Sequence, residues 1–262
     1  MSTSTDHTIA TTPRSRECEA YLEALQQVPA SVLSACDGWT VHEVTAHVAA
    51  AAAEVSRHLD PYLQGEQVPV TRSFEEREAP YRDLAHDQLC RRLETEEQRM
   101  RGLIDQVLER EPGAVIPWTG RRMAVAKFVP HLRNEFALHR WDFAGDAGPG
   151  RELLAQPELT AHAVEVLGQI LLRRGSAHDP LPDQRLRVRL RAEGQHDLLL
   201  LVGDGVAGLE TAPGDGDEPY LEMDAAARTL LIWGRRPDQR GRVTSHMPAP
   251  TLARTQALLA GY

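Results

Sequence analysis

The feature that most constrains the fold is a long amphipathic segment at residues 81–110. A helix of this kind hides one stripe from water and exposes the rest, so it must pack against other elements. Its apolar residues recur at helical spacing among many charges: Leu84, Leu89, Leu93, Met100, Leu103, Ile104, Val107 and Leu108. Together with three other helical segments, it predicts a four-helix bundle.

The three other segments show their own boundaries. Apolar residues at helical spacing predict helices over 41–59 and 122–144, and Pro29 divides the run over 16–35 into a helix followed by a turn. Thr40 and Glu43 have the spacing of a capping box, which predicts the start of the second helix. Asp60-Pro61 is predicted to end it, and the proline-containing residues 61–80 to form a loop. Pro130 predicts a kink or the true start of the fourth helix.

The second half of the chain has a mixed pattern. Alternating or mostly apolar runs predict strands over 186–190, 197–202 and 243–246, with Gly203-Asp204-Gly205 as a hairpin turn, and helices over 157–174, 225–233 and 250–259. The fold class predicted is therefore α plus α+β. The predicted domains are a disordered N-terminus at 1–13, a bundle over 14–150 and a smaller α+β domain over 151–262.

Composition excludes several classes of function. The net charge of −9 argues against a nucleic-acid partner, which would need a basic patch. No apolar run is long enough for a signal peptide or a membrane span, and three scattered cysteines fit a reducing compartment, so we expect a cytoplasmic protein. A single lysine among many arginines indicates a GC-rich bacterial genome. The oligomeric state stays open between a monomer and a homodimer.

Three side chains form the candidate site. Glu135 and His139 are four residues apart on a predicted helix, so both emerge on one face. His47 lies within the alanine-rich helix over 41–59. Each residue taken singly is more often an ordinary core or surface residue. Together, two imidazoles and one carboxylate can hold a divalent metal with a position left open.

Neighbouring polar residues are assigned more modest roles. His131 precedes Glu135 by one turn and is interpreted as a cavity-lining or surface residue rather than a fourth ligand. Asp142 is either an orienting partner for an imidazole or a solvated residue. His42 and His58 lie off the face of His47 on an ideal helix and are predicted to be on the surface.

Three motifs carry a family resemblance. The run Cys36-Asp37-Gly38-Trp39-Thr40-Val41 leading to His47, the segment Asn134 to Asp142, and the run Leu230 to Arg235 occur in the expected order. In these motifs the chain resembles the mycothiol-dependent maleylpyruvate isomerase family, whose N-terminal domain is a DinB-like bundle.

The resemblance implies a function and site roles. It makes His47, Glu135 and His139 the ligands of a metal, with Zn²⁺ expected, and mycothiol the thiol cosubstrate. It makes Arg235 catalytic and, with Arg236, a contact for substrate or thiol. The implied enzyme activates the small thiol as a metal-bound thiolate, which adds to an electrophilic small molecule. The outcome is either isomerisation of a maleylpyruvate-like substrate or S-transfer.

Two other functions remain open from the sequence. The chain could be a non-catalytic stress or regulatory protein that binds a metal or a small ligand. It could also be a hydrolase that uses metal-bound water. The cysteines are assigned structural roles in every case.

Overall fold

The computed structural model describes residues 12–179, 181–214, 216–237 and 241–260, leaving out the side chains of 166–169. Most of the predicted disordered segment 1–13 therefore lies outside the described residues. The chain forms two compact units, a first unit over 1–132 and a second unit over 133–262. The predicted domain limits at residues 13 and 150 stay a prediction.

The first unit is built mainly from helices. They are α1 (Arg16–Leu25), α2 (Val41–Leu63), α3 (Phe74–Arg82) and α4 (His86–Arg110), and α5 (Phe128–Ala144) begins in this unit. The capping box predicted for α2 is present, since the Thr40 side chain accepts from the Glu43 backbone and the Glu43 side chain bonds back. The first turn of α2 thus gains partners for backbone N–H groups that the helix leaves unpaired.

Helices α2 and α4 pack against each other to form the core of the first unit. The contributing face of α2 is made of valines and small alanines, including Val44, Val48 and Ala50, which are fully or almost fully buried. The predicted apolar stripe of α4 is buried at Leu89, Leu93, Met100, Leu103, Ile104 and Val107. The amphipathic segment from which the fold was predicted therefore meets a helix partner, as its pattern requires.

The predicted loop over 61–80 is wrong in part. Helix α2 continues through Pro61 to Leu63. A proline inside a helix removes the single backbone bond to the residue four positions earlier, and here that loss does not end the helix. Helix α3 occupies the end of the segment, begins at a second capping box formed by Ser73 and Glu76, and tolerates Pro80 in its last turn.

The prediction that His58 lies on the surface is also wrong. His58 is fully buried, with Nδ1 2.8 Å from the Glu54 carbonyl oxygen and Nε2 3.2 Å from Thr71 Oγ1. His42 is half-buried and lies 3.2 Å from His86, Nδ1 to Nδ1. Other segments cover helix α2 on more than one face. A prediction that assumes one buried face therefore misplaces residues such as His58 on the surface.

A short hairpin precedes α5. Strands β1 (Val115–Trp118) and β2 (Arg121–Ala124) pair antiparallel, and a 3-10 turn over Val125–Lys127 leads into α5. The sequence pattern predicted a helix from residue 122, but the structure starts it at Phe128, so Pro130 lies in the first turn. Proline is tolerated there because the first backbone N–H groups of a helix have no intrahelical partner.

The second unit combines helices with a five-stranded sheet. The strands β3 (Leu186–Ala192), β4 (Asp197–Gly203), β5 (Val206–Ala212), β6 (Tyr220–Met223) and β7 (Val243–His246) lie in the order β5-β4-β3-β6-β7. Pairing is antiparallel except between β3 and β6. The predicted hairpin and the strand at 243–246 are confirmed, while β6 was not predicted.

Helices complete the second unit. They are α6 (Gly150–Leu154), α7 (Pro157–His162), α8 (Gly168–Ser176), α9 (Ala225–Ile232) and α10 (Ala249–Leu258), with a π-helical turn over Ala163–Leu167 inside the predicted helix 157–174. Asp224 caps α9 by accepting from the Ala227 backbone, as predicted. The predicted fold class, α plus α+β, is confirmed. Among the described residues, every helix is too short or too polar to cross a bilayer.

Candidate metal centre

His47 lies on α2 in the first unit and is held through one ring nitrogen. Its side chain is 12% exposed, and Nδ1 lies 2.7 Å from Glu78 Oε1. The Glu78 side chain is fully buried, and its other oxygen accepts from Arg82 Nη2 at 2.6 Å. Burial opposes ionisation of Glu78, but the bond from His47 and the arginine charges outweigh it, so the pKa of Glu78 lies below its ordinary value.

Aromatic rings flank the His47 imidazole. The Trp39 ring lies 5.4 Å away and is tilted, and the Phe74 ring lies 5.6 Å away in a stacked arrangement. Arg82 lies over the Trp39 ring, and Arg77 lies over the Phe74 ring at 4.3 Å. Two aromatic rings thus flank His47, and each of them has an arginine over its ring.

Glu135 and His139 lie on α5 in the second unit, where both are buried. His139 Nε2 is 3.4 Å from Glu135 Oε2, which confirms that the i, i+4 spacing brings the two groups together. Two ligand atoms bonded at about 2.0–2.1 Å to one tetrahedral ion lie about 3.3–3.4 Å apart. The separation of these two atoms therefore suits two ligands of one metal.

Asp142 fixes the other side of the His139 ring. Its Oδ2 lies 2.8 Å from His139 Nδ1 and 2.7 Å from Arg235 Nη2, and its Oδ1 accepts from Arg235 Nε at 2.9 Å. Burial would raise the pKa of this carboxyl, but the bonds from His139 and Arg235 and their charges hold it far below its usual range. Of the two interpretations offered for Asp142, the orienting partner fits and the solvated residue does not.

Arg235 is positioned by the end of α9. Gly234 adopts a left-handed φ of 77°, a conformation that favours glycine, and turns the chain after the helix. Trp233 Nε1 donates to Asn134 Oδ1 at 3.1 Å, and Arg235 Nη1 donates to the Trp233 carbonyl at 3.1 Å. Arg235 is buried and bound to Asp142, whereas Arg236 is exposed. A pocket of about 230 Å³ in the second unit is lined by both arginines and by apolar residues that include Leu221 and Leu252.

The two predicted ligand histidines share one arrangement. In each case Nδ1 contacts a fully buried carboxylate that is also bound by an arginine: His47 with Glu78 and Arg82, and His139 with Asp142 and Arg235. Metal-ligating histidines commonly use one nitrogen in this way and bind the ion with the other. Each histidine is therefore held in the way that a metal-ligating histidine commonly is, and the residues around it fit that role.

Sequence reasoning missed the role of α3. Glu78, Arg82 and Phe74 all lie within or just beyond the segment predicted as a loop. The Ser73 to Glu76 spacing was the available signal, because it repeats the capping pattern found at Thr40. His131 is buried, so of the two roles assigned to it the surface position is wrong.

Comparisons with known proteins agree with the fold. Residues 13–144 match the family described as "Mycothiol maleylpyruvate isomerase N-terminal domain". The chain is also similar to two solved structures described as mycothiol-dependent maleylpyruvate isomerase, one of them a histidine-to-alanine variant. Each is 19% identical with a TM-score of 0.63, over 87% of this chain and 88% of the other. No curated protein sequence matches significantly.

Proposed function

The chain belongs to the mycothiol maleylpyruvate isomerase family, and on that premise we propose that it is a metal- and mycothiol-dependent isomerase. Its substrates are a small thiol and a small electrophile with a conjugated double bond, of the maleylpyruvate type. The thiol adds to the double bond, rotation follows about what has become a single bond, and the thiol then leaves.

The shared arrangement of His47 and His139 is the observation that carries this proposal. Each ring gives Nδ1 to a buried carboxylate backed by an arginine, in two separate units of the chain. Burying a carboxylate is costly unless it is paired. Each of these two carboxylate–arginine pairs contacts a predicted ligand histidine. This supports the proposal that the carboxylates orient the histidines so that Nε2 can bind a metal.

His47, Glu135 and His139 are the proposed ligands, and the donor set of two nitrogens and one carboxylate is common for catalytic Zn²⁺. An ion held there would favour the deprotonated, nucleophilic form of a bound thiol. With one carboxylate among the three proposed ligands, a bound divalent ion would keep net positive charge, which would favour an anionic sulfur.

The chain's own residues supply positioning and charge. Glu78 and Asp142 keep the proton of each imidazole on Nδ1, and Arg82 and Arg235 hold those carboxylates ionised. Arg235 and Arg236 stay the proposed contacts for a carboxylate of the thiol or substrate. Of the two, Arg236 is exposed, and its planar fork suits bidentate binding of a carboxylate.

Metal content tests the ligand set. Elemental analysis of the purified protein should find about one divalent ion per chain, as expected for one catalytic site with three protein ligands. Most of this metal should be lost in each of the three ligand variants, His47→Ala, Glu135→Gln and His139→Ala. The control is Asp146→Asn, which changes a part-exposed carboxylate in the same unit as Glu135 and should retain the metal. Full metal content in all three ligand variants would overturn the assignment.

Activity tests the reaction. Proton NMR of maleylpyruvate with the protein and mycothiol should show isomerisation that requires both the thiol and Glu135. A stable thioether product would instead establish S-transfer, and water-dependent cleavage without thiol would establish the hydrolase. Metal binding with no turnover of any such electrophile would favour the non-catalytic alternative.

A further inference from the structure

Helix α3 presents three side chains in line toward His47. Phe74, Glu78 and Arg82 are spaced four residues apart, so they lie along one face of the helix; we call them the α3 row. Phe74 stacks on the His47 ring, Glu78 bonds to its Nδ1, and Arg82 bonds to Glu78. One face of one short helix therefore contacts the imidazole or its partner at three successive turns.

These contacts restrict two freedoms of an imidazole. A histidine ring can rotate about its last side-chain bond, and a neutral ring can carry its proton on either nitrogen. Stacking by Phe74 limits rotation of the ring plane. A carboxylate at 2.7 Å accepts a hydrogen bond, so it requires the proton to be on Nδ1.

The α3 row is itself held firmly in the first unit. The Ser73 and Glu76 capping box fixes the start of α3, and Tyr81 donates to Glu96 of α4 at 3.2 Å. Glu78 is fully buried, and Arg82 supplies the countercharge at 2.6 Å. Arg82 is 35% exposed, so the desolvation cost falls on the Glu78 carboxylate, and an ion pair with a buried partner is seldom favourable for stability alone. Its contact with His47 gives this pair a role that packing would not.

We propose that Glu78 is a positioning residue for His47, held by Arg82 and assisted by Phe74, so that His47 offers Nε2 to a metal in a fixed orientation. This inference rests on the proposed function, because it requires that His47 bind a metal. In this proposal α3 is the helix that orients the first unit's ligand, and the affinity for the metal depends on it.

Zinc affinity, measured by competition with a chromophoric chelator, tests the inference. Glu78→Gln should weaken binding about 10- to 100-fold, the usual effect of removing an orienting partner of a ligand. The matched control is Glu54→Gln, because Glu54 is equally buried but its carboxylate is bonded to Arg57 and Arg72. The control should bind zinc as tightly as the wild type.

A double variant separates positioning from general damage. If Glu78 acts through His47, then His47→Ala and His47→Ala/Glu78→Gln should bind zinc with equal affinity. Equal affinity of wild type and Glu78→Gln, or a further loss in the double variant, would overturn the inference while leaving the proposed function intact. A wild-type protein that binds no zinc would overturn both.

A measurement on the unmodified protein covers the case in which Glu78→Gln fails to fold. A long-range ¹H–¹⁵N correlation spectrum, assigned with the His47→Ala variant, should show the His47 ring protonated on Nδ1. A ring protonated on Nε2 alone would overturn the inference.

Discussion

Replacing Asp142 with Asn should destabilise the protein by about 3 kcal/mol. The Asp142 side chain is fully buried, and it accepts from His139 and, with both oxygens, from Arg235. Removing one partner of a buried ion pair costs about 3–5 kcal/mol, because the other charge stays buried without its counterion. We expect the lower figure because the Asn carbonyl can still accept one hydrogen bond.

Urea unfolding followed by tryptophan fluorescence measures this loss. The matched control is Asp146→Asn, four residues along the chain, where the carboxylate is 36% exposed and bonded to Arg242. An exposed pair contributes about 0–1 kcal/mol, so the control should lose no more than that. A second control, Asp142→Asn/Arg235→Met, should lose less than the two single variants added together, because neither charge is left alone. A loss in Asp142→Asn no larger than in Asp146→Asn would refute the reasoning.

Three further predictions follow from other sites. The pKa of Glu54 is lowered from 4.5 to about 2, since its bonds from Arg57 and Arg72 outweigh the burial that opposes its ionisation. Its contribution to the free energy of unfolding should be full above about pH 5 and decline toward pH 2, so wild type and Glu54→Gln should converge in acid urea melts. Gly234→Ala should cost about 1–2 kcal/mol in the same melts, because φ of 77° is left-handed, and a neutral result would contradict that conformation. Burial raises the pKa of the Cys18 thiol, so a thiol reagent at pH 8 should label Cys18 only on unfolding, and rapid labelling of the native protein would show that it is accessible.

Local signals were sufficient for much of the fold. The capping pair Thr40 and Glu43 identified the start of α2, and Asp224 the start of α9, because these contacts form between residues three apart. The pairing of Glu135 with His139 was predictable for the same reason, since the helix alone sets their spacing.

Contacts between distant segments were not accessible in this way. Glu78 lies 31 residues from His47, and nothing in the spacing of either residue indicates that they meet. The prolines Pro61 and Pro80 predicted a loop, yet both lie inside helices. Each removes one backbone bond to the residue four positions earlier, and the sequence alone does not show whether the rest of the helix tolerates that loss. The strand β6 alternates between buried and exposed residues, but it is only four residues long, too short a run to be recognised before its parallel partner β3 is known.

The two histidines obtain their orienting carboxylates in different ways, and this bears on how the site can change over evolution. Asp142 is three residues from His139 on one helix, so that pair survives any change in the connecting segments. Glu78 contacts His47 only if the ten residues 64–73, which connect α2 to α3, place α3 in the right register. An insertion or deletion there would misplace Glu78 while leaving all three proposed ligands unchanged. Relatives should therefore be compared over the length of this connection as well as at the ligands, because ligand identity alone does not show whether Glu78 is in place beside His47.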